Sequence, residues 1–321
     1  MSVAVIGGAG FIGSNLVDEL LTQGFEVSVL DNLSEGKLDN LERWRGHAKL
    51  DFVRGDIRDR ELVRRFCDHK DWVFHLAAMS RIQPSITDPH LAFDENIMGT
   101  VNVLEGCRLG GVKRFIYSAS SSVCGDNGSA IVESGKPTPE DCPPDYKSPY
   151  ALTKHFGETA AELYRKLYGL STVSLRYFNV YGPRHLETGS YSTVVAIFRK
   201  QAREGEPLTV VGDGTQRRDF TFVGDVVRAN MLAAMNYPAT GTFNIGCGKN
   251  YSINEVAALV APGHPITNLP ERKGEYRATL ADNTRARNEL GWKPLVSFEE
   301  GLQVLDMFEK RNSSSIIVVS R

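Results

Sequence analysis

The chain has little cysteine, no long apolar run and no block of one-signed charge. Five cysteines, Cys67, Cys107, Cys124, Cys142 and Cys247, occur in 321 residues. Their number is odd and none form Cys-x-x-Cys, which argues against a disulfide framework or a zinc site and for a reducing compartment. Buried, inert thiols are the reading for most of them, and no metal ligands are expected. No apolar stretch approaches the roughly 20 residues of a membrane-spanning helix. The apolar run from Val3 carries no charged leader, so no signal peptide is expected. A cytoplasmic location without a membrane partner follows as the expectation. The net charge is −2 and no basic run stands out, which disfavours nucleic acid as a partner. An anionic small molecule remains compatible, through a few arginines and helix N-termini.

What is present is an ordinary globular composition, 41% hydrophobic and 24% charged, in a chain long enough for one large or two modest domains. Short apolar runs at 3–7, 26–31, 50–54, 72–77, 113–119 and 172–177 read as strands. Helical spacing follows the first run and recurs at 59–67, 93–110 and 149–168. Strands alternating with helices predict an α/β fold with a doubly wound parallel sheet. Beyond residue 178 the pattern loosens, with helices expected near 191–204, 223–235, 252–260 and 298–310. We read residues 1–177 as one domain, 178–312 as a smaller α/β lobe and 313–321 as a tail that is either a late strand or disordered. No internal repeat or long low-complexity linker occurs.

Gly7, Gly8, Gly10 and Gly13 stand where the first strand turns into the first helix. They satisfy both G-x-x-G-x-x-G and G-x-G-x-x-G. Such a turn brings backbone close to a pyrophosphate and aims helix N–H groups at its charge, which marks residues 1–177 as a dinucleotide-binding domain. Asp31 ends the second strand, 18 residues after Gly13. Its carboxylate there accepts from ribose hydroxyls and repels a 2′-phosphate, which favours NAD over NADP. Asp56, after the third strand, either meets the adenine or caps the following helix.

Ser148 to Lys154 (SPYALTK) opens a helix, with Pro149 suited to its first turn. Tyr150 and Lys154, four apart, share a helical face. A free tyrosine titrates near ~10 and a nearby ammonium lowers that value, which would make Tyr150 a proton-transfer group. The same pair also arises by chance on helices, as a surface lysine beside a half-buried tyrosine.

With these residues in hand, the sequence resembles the extended short-chain dehydrogenase/reductase superfamily, and within it the nucleotide-sugar epimerases of the UDP-glucose 4-epimerase type. The resemblance rests on HLAA (75–78), NIMGTVNVLE (96–105), YSASSSVCG (117–125), YALTK, RYFNVYGPR (176–184), GDGTQRRDFTFVGDV (212–226) and LGWKP (290–294). It implies a Rossmann-type sheet with a smaller substrate-binding lobe, NAD as cofactor and a nucleotide-diphosphate sugar as substrate. It implies catalytic roles for Tyr150, Lys154 and Ser120, with Ser122 assisting at the sugar. Cofactor contacts are implied for Gly7, Gly10, Phe11, Ile12, Gly13, Asp31, Asn32, Asp56, Ile57, Leu76, Ala77, Ala78, Asn96, Ser118, Tyr150, Lys154 and Tyr177, with Phe178 beside the nicotinamide. On the substrate, Asn179, Arg218 and Arg272 match diphosphate ligands, and Glu275 stands where the family has Asp. Thr279 matches the position where a bulky residue narrows the sugar pocket, a small one being similar to members that accept N-acetylated sugars. A homodimer packed through 93–110 and 149–168 is also implied.

Two departures stand out. Ile6 replaces the usual Thr before the first glycine, and Cys124 replaces the Tyr of VYG. The related dehydratases carry Asp-Glu after the catalytic Thr, and the decarboxylases keep the Glu; here Ser121 and Ser122 occupy those positions, against both. A uronate 4-epimerase stays open because Arg184 could meet a carboxylate. A non-catalytic NAD-binding sensor is disfavoured by the presence of Tyr150 and Lys154, and dehydrogenation of a free sugar or steroid by the diphosphate matches.

Overall fold

The computed structural model describes residues 1–187, 189 and 192–318. The first six strands are β1 (Ser2–Ile6), β2 (Glu26–Asp31), β3 (Leu50–Arg54), β4 (Trp72–His75), β5 (Arg114–Ser120) and β6 (Thr172–Tyr177). Between them lie α1 (Phe11–Thr22), α2 (Arg60–Cys67), α3 (Ile82–Thr87), α4 (Pro89–Phe93), α5 (Gly99–Leu109), α6 (Gly125–Glu133) and α7 (Pro149–Tyr168). The chain continues through β7 (Val180–Tyr181), α8 (Val194–Glu204), β8 (Leu208–Val211), β9 (Arg217–Asp219), β10 (Thr221–Phe222) and α9 (Val223–Met235). It then forms β11 (Gly241–Ile245), β12 (Asn250–Ser252), α10 (Ile253–Val260), β13 (Ile266–Leu269), α11 (Thr284–Leu290) and α12 (Phe298–Val318).

Among the described residues, seven strands pair into one sheet in the order β11-β6-β5-β4-β1-β2-β3. Every pairing in it is parallel, as between β1 and β4, where Val5 faces Phe74. A parallel sheet is covered on both faces, and its central strands β4 and β5 are buried along their whole length. Alternate residues of β1 serve opposite layers: Val3 and Val5 join Leu16, Val17 and Leu20 of α1 and Val226 of α9, whereas Ala4 and Ile6 join Val63, Val103, Leu104 and Ala161 of α2, α5 and α7. Fully burying each such Val or Leu contributes about 1.5–3 kcal/mol.

The expected elements lie where their periodicity puts them, apart from the following differences. The expected helix over 93–110 is in part a wider turn, Asp94–Met98, leading into α5. Residue 191, expected to start a helix, is outside the described residues; α8 begins at Val194, with the Thr193 hydroxyl accepting from Ala196 N. A larger difference is β11. It comes from the stretch read as the second lobe, yet it completes the main sheet beside β6, with Phe243 opposite Leu175. A short buried run carries no mark of which sheet it will join. The second lobe has its own core around Tyr181, Phe198, Val210, Phe220 and Phe298. Helix α12 runs on to Val318, so the tail is helical in its backbone up to that point instead of a strand, and 319–321 are outside the described residues. Among the described residues no helix is long and apolar enough to cross a membrane.

The segments that follow β1 to β6 all leave the sheet at one edge. Gly7, Asp31, Asp56, Leu76, Ser120 and Tyr177 stand at or just beyond the carboxyl ends of their strands, where open α/β sheets bind ligands.

Candidate active site

A cleft of about 780 Å³ runs along this edge into the second lobe. Its first end is built by backbone approach. Gly7 has φ +84°, and a Cβ there would stand 2.6 Å from Ala77 N. A Cβ on Gly13 would stand 2.1 Å from the Gly7 carbonyl oxygen. Only glycine lets the turn close this tightly, which is the shape a pyrophosphate requires at the N-terminus of α1. Asp31 is 8% exposed and accepts from Ala9 N at 2.9 Å and Leu33 N at 2.8 Å. Burial pushes its carboxyl up, against the N–H groups of Leu33, Ala9 and Gly10. Asp56 accepts from the Asn32 amide at 3.0 Å and from Arg58 at 2.8 Å, and Arg58 holds it well below the usual carboxylate range. The cap of α2 is Asp59, which accepts from Leu62 N at 3.0 Å, so Asp56 is left to line the cleft beside Ile57. Phe11, Ile12, Leu76, Ala77 and Ala78 also line this end. These residues fit a dinucleotide with free ribose hydroxyls.

At the middle of the cleft α7 begins. The Ser148 hydroxyl accepts from Ala151 N at 3.2 Å, Pro149 fills the first turn, and Gly169 closes the helix at φ +72°. These caps set the rotation that puts Tyr150 and Lys154 on the cleft, with Tyr150 N donating to the Ser85 hydroxyl of α3 at 3.1 Å. Ser120, the last residue of β5, hydrogen-bonds the Tyr150 phenol and accepts from the Ser122 hydroxyl at 2.9 Å. Ser118 bonds the Tyr177 hydroxyl at 3.1 Å. Burial pushes Tyr150 above its ordinary value, opposed by Ser120 and by the charge of Arg81. Burial also lowers Lys154 to about 7, opposed by Glu158. The lysine ammonium lies 4.7 Å from the centre of the Tyr117 ring. The expectation that Lys154 by itself depresses Tyr150 is therefore corrected: desolvation acts on both groups, and the neighbours that lower the phenol are Ser120 and Arg81.

The far end holds Asn179, Arg218, Arg272 and Glu275. Asn179 donates to the Asp219 carbonyl at 3.0 Å. Arg218 donates to the Arg217 carbonyl at 3.0 Å and pairs with Glu275 at 3.0 Å.

Four expected positions are not among the residues that line the cleft. Asn96 does not line the cleft; its amide accepts from Met79 N at 2.8 Å and donates to Thr153 at 2.9 Å, fixing the turn that carries Leu76–Ala78. Thr279 is turned away, its hydroxyl accepting from Asp219 N at 3.1 Å and from the Asn179 amide at 3.2 Å. Phe178 is buried. Arg184 donates to the Asn40 carbonyl at 2.8 Å and pairs with Asp18 at 2.5 Å, so it is committed to α1 and its loop and not to the cleft. Conversely, Glu35, Arg81, Lys147, Tyr276 and Arg277 line the cleft although no motif marks them. Their only signal is proximity in sequence to Asp31, HLAA, SPYALTK and RKGE.

The family model for the NAD dependent epimerase/dehydratase family matches residues 3–246. A UDP-glucose 4-epimerase of Mycolicibacterium smegmatis is 38% identical, covering 97% of this chain and 100% of its own length. The crystal structure of a UDP-glucose 4-epimerase of Thermotoga maritima with UDP-glucose superposes with a TM-score of 0.90 at 38% identity, covering 97% of this chain and 99% of that one. The UDP-glucose 4-epimerase of Thermus thermophilus in complex with NAD gives 0.86 at 37% identity, covering 96% and 99%. A match of this extent, over a cleft whose glycine turn, Tyr150 and Lys154 agree with it, makes this chain a member of the NAD dependent epimerase/dehydratase family.

Proposed function

We propose that the protein is an NAD-dependent isomerase that inverts C4 of a nucleotide-diphosphate sugar, interconverting UDP-glucose and UDP-galactose through a 4-keto intermediate. The observation that carries this is the continuity of one cleft. The glycine turn, the Ser120–Tyr150–Lys154 group and Arg218 with Arg272 all line the same 780 Å³ space.

NAD, held by Gly7 to Gly13, Asp31 and the 76–78 turn, supplies a hydride acceptor and donor. The protein's own groups do the rest. Tyr150 takes the proton from the C4 hydroxyl, and Ser120 orients that hydroxyl. The ketose turns about its diphosphate linkage, which Asn179, Arg218 and Arg272 hold. Tyr150 then returns the proton to the C4 oxygen, the sugar now presenting its other face to the nicotinamide side of the cleft. Lys154 would anchor the nicotinamide ribose.

Ser121 and Ser122 line the cleft where a dehydratase needs an added acid and base, which weighs against that reaction and against decarboxylation. The commitment of Arg184 to Asp18 weighs against uronates. We assign residues 1–177 to cofactor binding and 178–312 mainly to substrate binding. A homodimer is supported by apolar side chains left exposed on α5 and α7, namely Leu109, Leu152, Leu163 and Leu167. A cytoplasmic setting agrees with Cys67, Cys107, Cys124, Cys142 and Cys247 being free thiols.

The test is incubation of purified protein with UDP-glucose, UDP-N-acetylglucosamine or UDP-glucuronate, without added NAD, followed by NMR of the anomeric proton. UDP-galactose is the expected product. Loss of the C6 hydroxyl or of a carboxylate, or no change with NAD supplied, would overturn the reading.

A further inference from the structure

Arg184 points away from the cleft, yet the groups that its guanidinium holds belong to the cofactor half. It donates to the Asn40 carbonyl at 2.8 Å and to the Asn15 side-chain oxygen at 3.1 Å, and it pairs with Asp18. Asn15 and Asp18 are on α1, the helix that the glycine turn opens. The Asn15 amide donates to the Phe11 carbonyl at 2.8 Å and reaches back to the Pro183 carbonyl at 3.1 Å. The His185 ring lies 6.2 Å from that of Phe11. The turn at 183–185 is thus fastened to the first turns of α1. Arg184 takes a φ of +70° there, in the left-handed region that a residue with a Cβ avoids. Such strain persists only where surrounding contacts over-determine it, and it gathers at functional positions.

Asn40 carries the link onward. It lies on the segment that follows Asp31, in which Asn32, Ser34, Glu35 and Gly36 line the cleft. The Asn40 amide donates to the Ala9 carbonyl of the glycine turn at 2.8 Å, beside Lys37 N at 3.0 Å. Ala9 N in turn donates to the Asp31 carboxylate at 2.9 Å, and a Cβ on Gly36 would stand 2.8 Å from that carboxylate. Asp18 also holds the far end of the segment, accepting from the Trp44 indole at 2.8 Å. Residues 32–44 therefore lie against the glycine turn, and Arg184 pins them from behind. Arg184 itself follows β7, and Leu186 and Val194 beyond it line the substrate end of the cleft.

We propose that Arg184 is a positioning residue that latches the cofactor site, so that NAD stays bound through both half-reactions. Its purpose, though not its contacts, rests on the epimerase reading above. For an adenosine seated on Asp31 to leave, residues 32–44 must lift off Ala9. That motion breaks the Asn40 bonds to Ala9 and to Arg184 together. An epimerase gains from the latch, because a 4-ketose can be reduced again only while the cofactor that took its hydride is still in place. The latch is supplied by the chain beyond β6, so it belongs to the assembled protein and not to the dinucleotide-binding half alone.

The experiment compares wild type, R184M and N40A in three measurements: NAD remaining after gel filtration, the rate at which bound NAD exchanges for isotopically labelled NAD, and kcat with UDP-glucose at saturating NAD. Melting temperature at saturating NAD shows which variants are folded. N40A removes one amide from a half-buried loop position and decides the matter if R184M does not fold. R184M should release NAD about tenfold or more faster than wild type, the scale of a hydrogen bond to a charged group, and N40A about fivefold faster, the scale of a neutral one. In both, kcat at saturating NAD should stay within about threefold of wild type, since neither residue meets the sugar. Wild-type exchange in a folded R184M or in N40A overturns the latch. So does a wild type that leaves the column free of NAD, or a fall in kcat that excess NAD does not restore. Exchange is read without a nucleotide sugar, so a protein that holds NAD and epimerises none of them fails the epimerase reading alone.

Discussion

The ammonium of Lys154 rests on the face of Tyr117, 4.7 Å from the ring centre. Glu158, one turn further along α7, gives both carboxylate oxygens to Arg176, at 2.9 Å from Nε and 2.8 Å from Nη2. The lysine is thus steadied by an aromatic face and only distantly by a carboxylate, which leaves burial to lower it to about 7.

Gly157 makes that arrangement possible. A Cβ there would stand 2.2 Å from both Cζ and the hydroxyl oxygen of Tyr117. Gly157→Ala should therefore displace the ring, lower stability by about 1–3 kcal/mol and reduce kcat. Thermal unfolding with steady-state kinetics checks both. An unchanged melting temperature would show that the ring is not held there.

Tyr150→Phe removes one hydroxyl and leaves the helix and its caps intact. We expect kcat to fall about 10²–10⁴-fold, the usual contribution of a positioned proton-transfer group. UDP binding by calorimetry should stay within about threefold of wild type, since the nucleotide ligands are elsewhere in the cleft. A variant with unimpaired kcat would remove Tyr150 from the chemistry.

Glu158→Gln leaves Arg176, 5% exposed, without its carboxylate. Uncompensated buried charge costs about 3–5 kcal/mol. Chemical denaturation should show that loss for the single variant and a smaller one for Glu158→Gln combined with Arg176→Met. Equal losses would mean that the pair is not energetically coupled.

His75 is buried, bonds Thr100 at 2.9 Å, and is held at about 3 by burial, with Lys154 adding to the effect. Its folded value lies below its ordinary one, so below about 6.5 the unfolded chain takes up a proton that the folded protein refuses. The stability this group contributes is intact above that pH and is lost as pH falls from 6.5 towards 3, at up to about 1.4 kcal/mol per pH unit. Urea unfolding between pH 4 and 7 should give His75→Gln a shallower acid limb than wild type. Parallel limbs would contradict the assignment.

Much of this was legible before any coordinates, and the reasons differ from residue to residue. The runs at 3–7 and 26–31 read as strands because both faces of a parallel sheet are covered. Ser148, Pro149 and Gly169 bound α7 by local backbone chemistry alone. What stayed hidden depends on contacts far apart in the chain. Asn96 bonds a backbone 17 residues away, and Arg184 pairs with an aspartate 166 away. Tyr276 and Thr279 lie on an irregular segment with no period, so nothing in their spacing tells which side chain turns inward. The motif match carried Thr279 into the pocket; the pairing of that segment with Arg217 turned it out.

The strand β11 gives the molecule an order of assembly. The cofactor-binding sheet is finished by residues 241–245, which lie midway through the stretch assigned to the second lobe. On a ribosome, the first 177 residues would emerge with β6 as an open edge, a template for pairing with another chain. The nucleotide half therefore waits for the substrate half to be made, and neither is expected to survive as a separately expressed piece cut at that boundary.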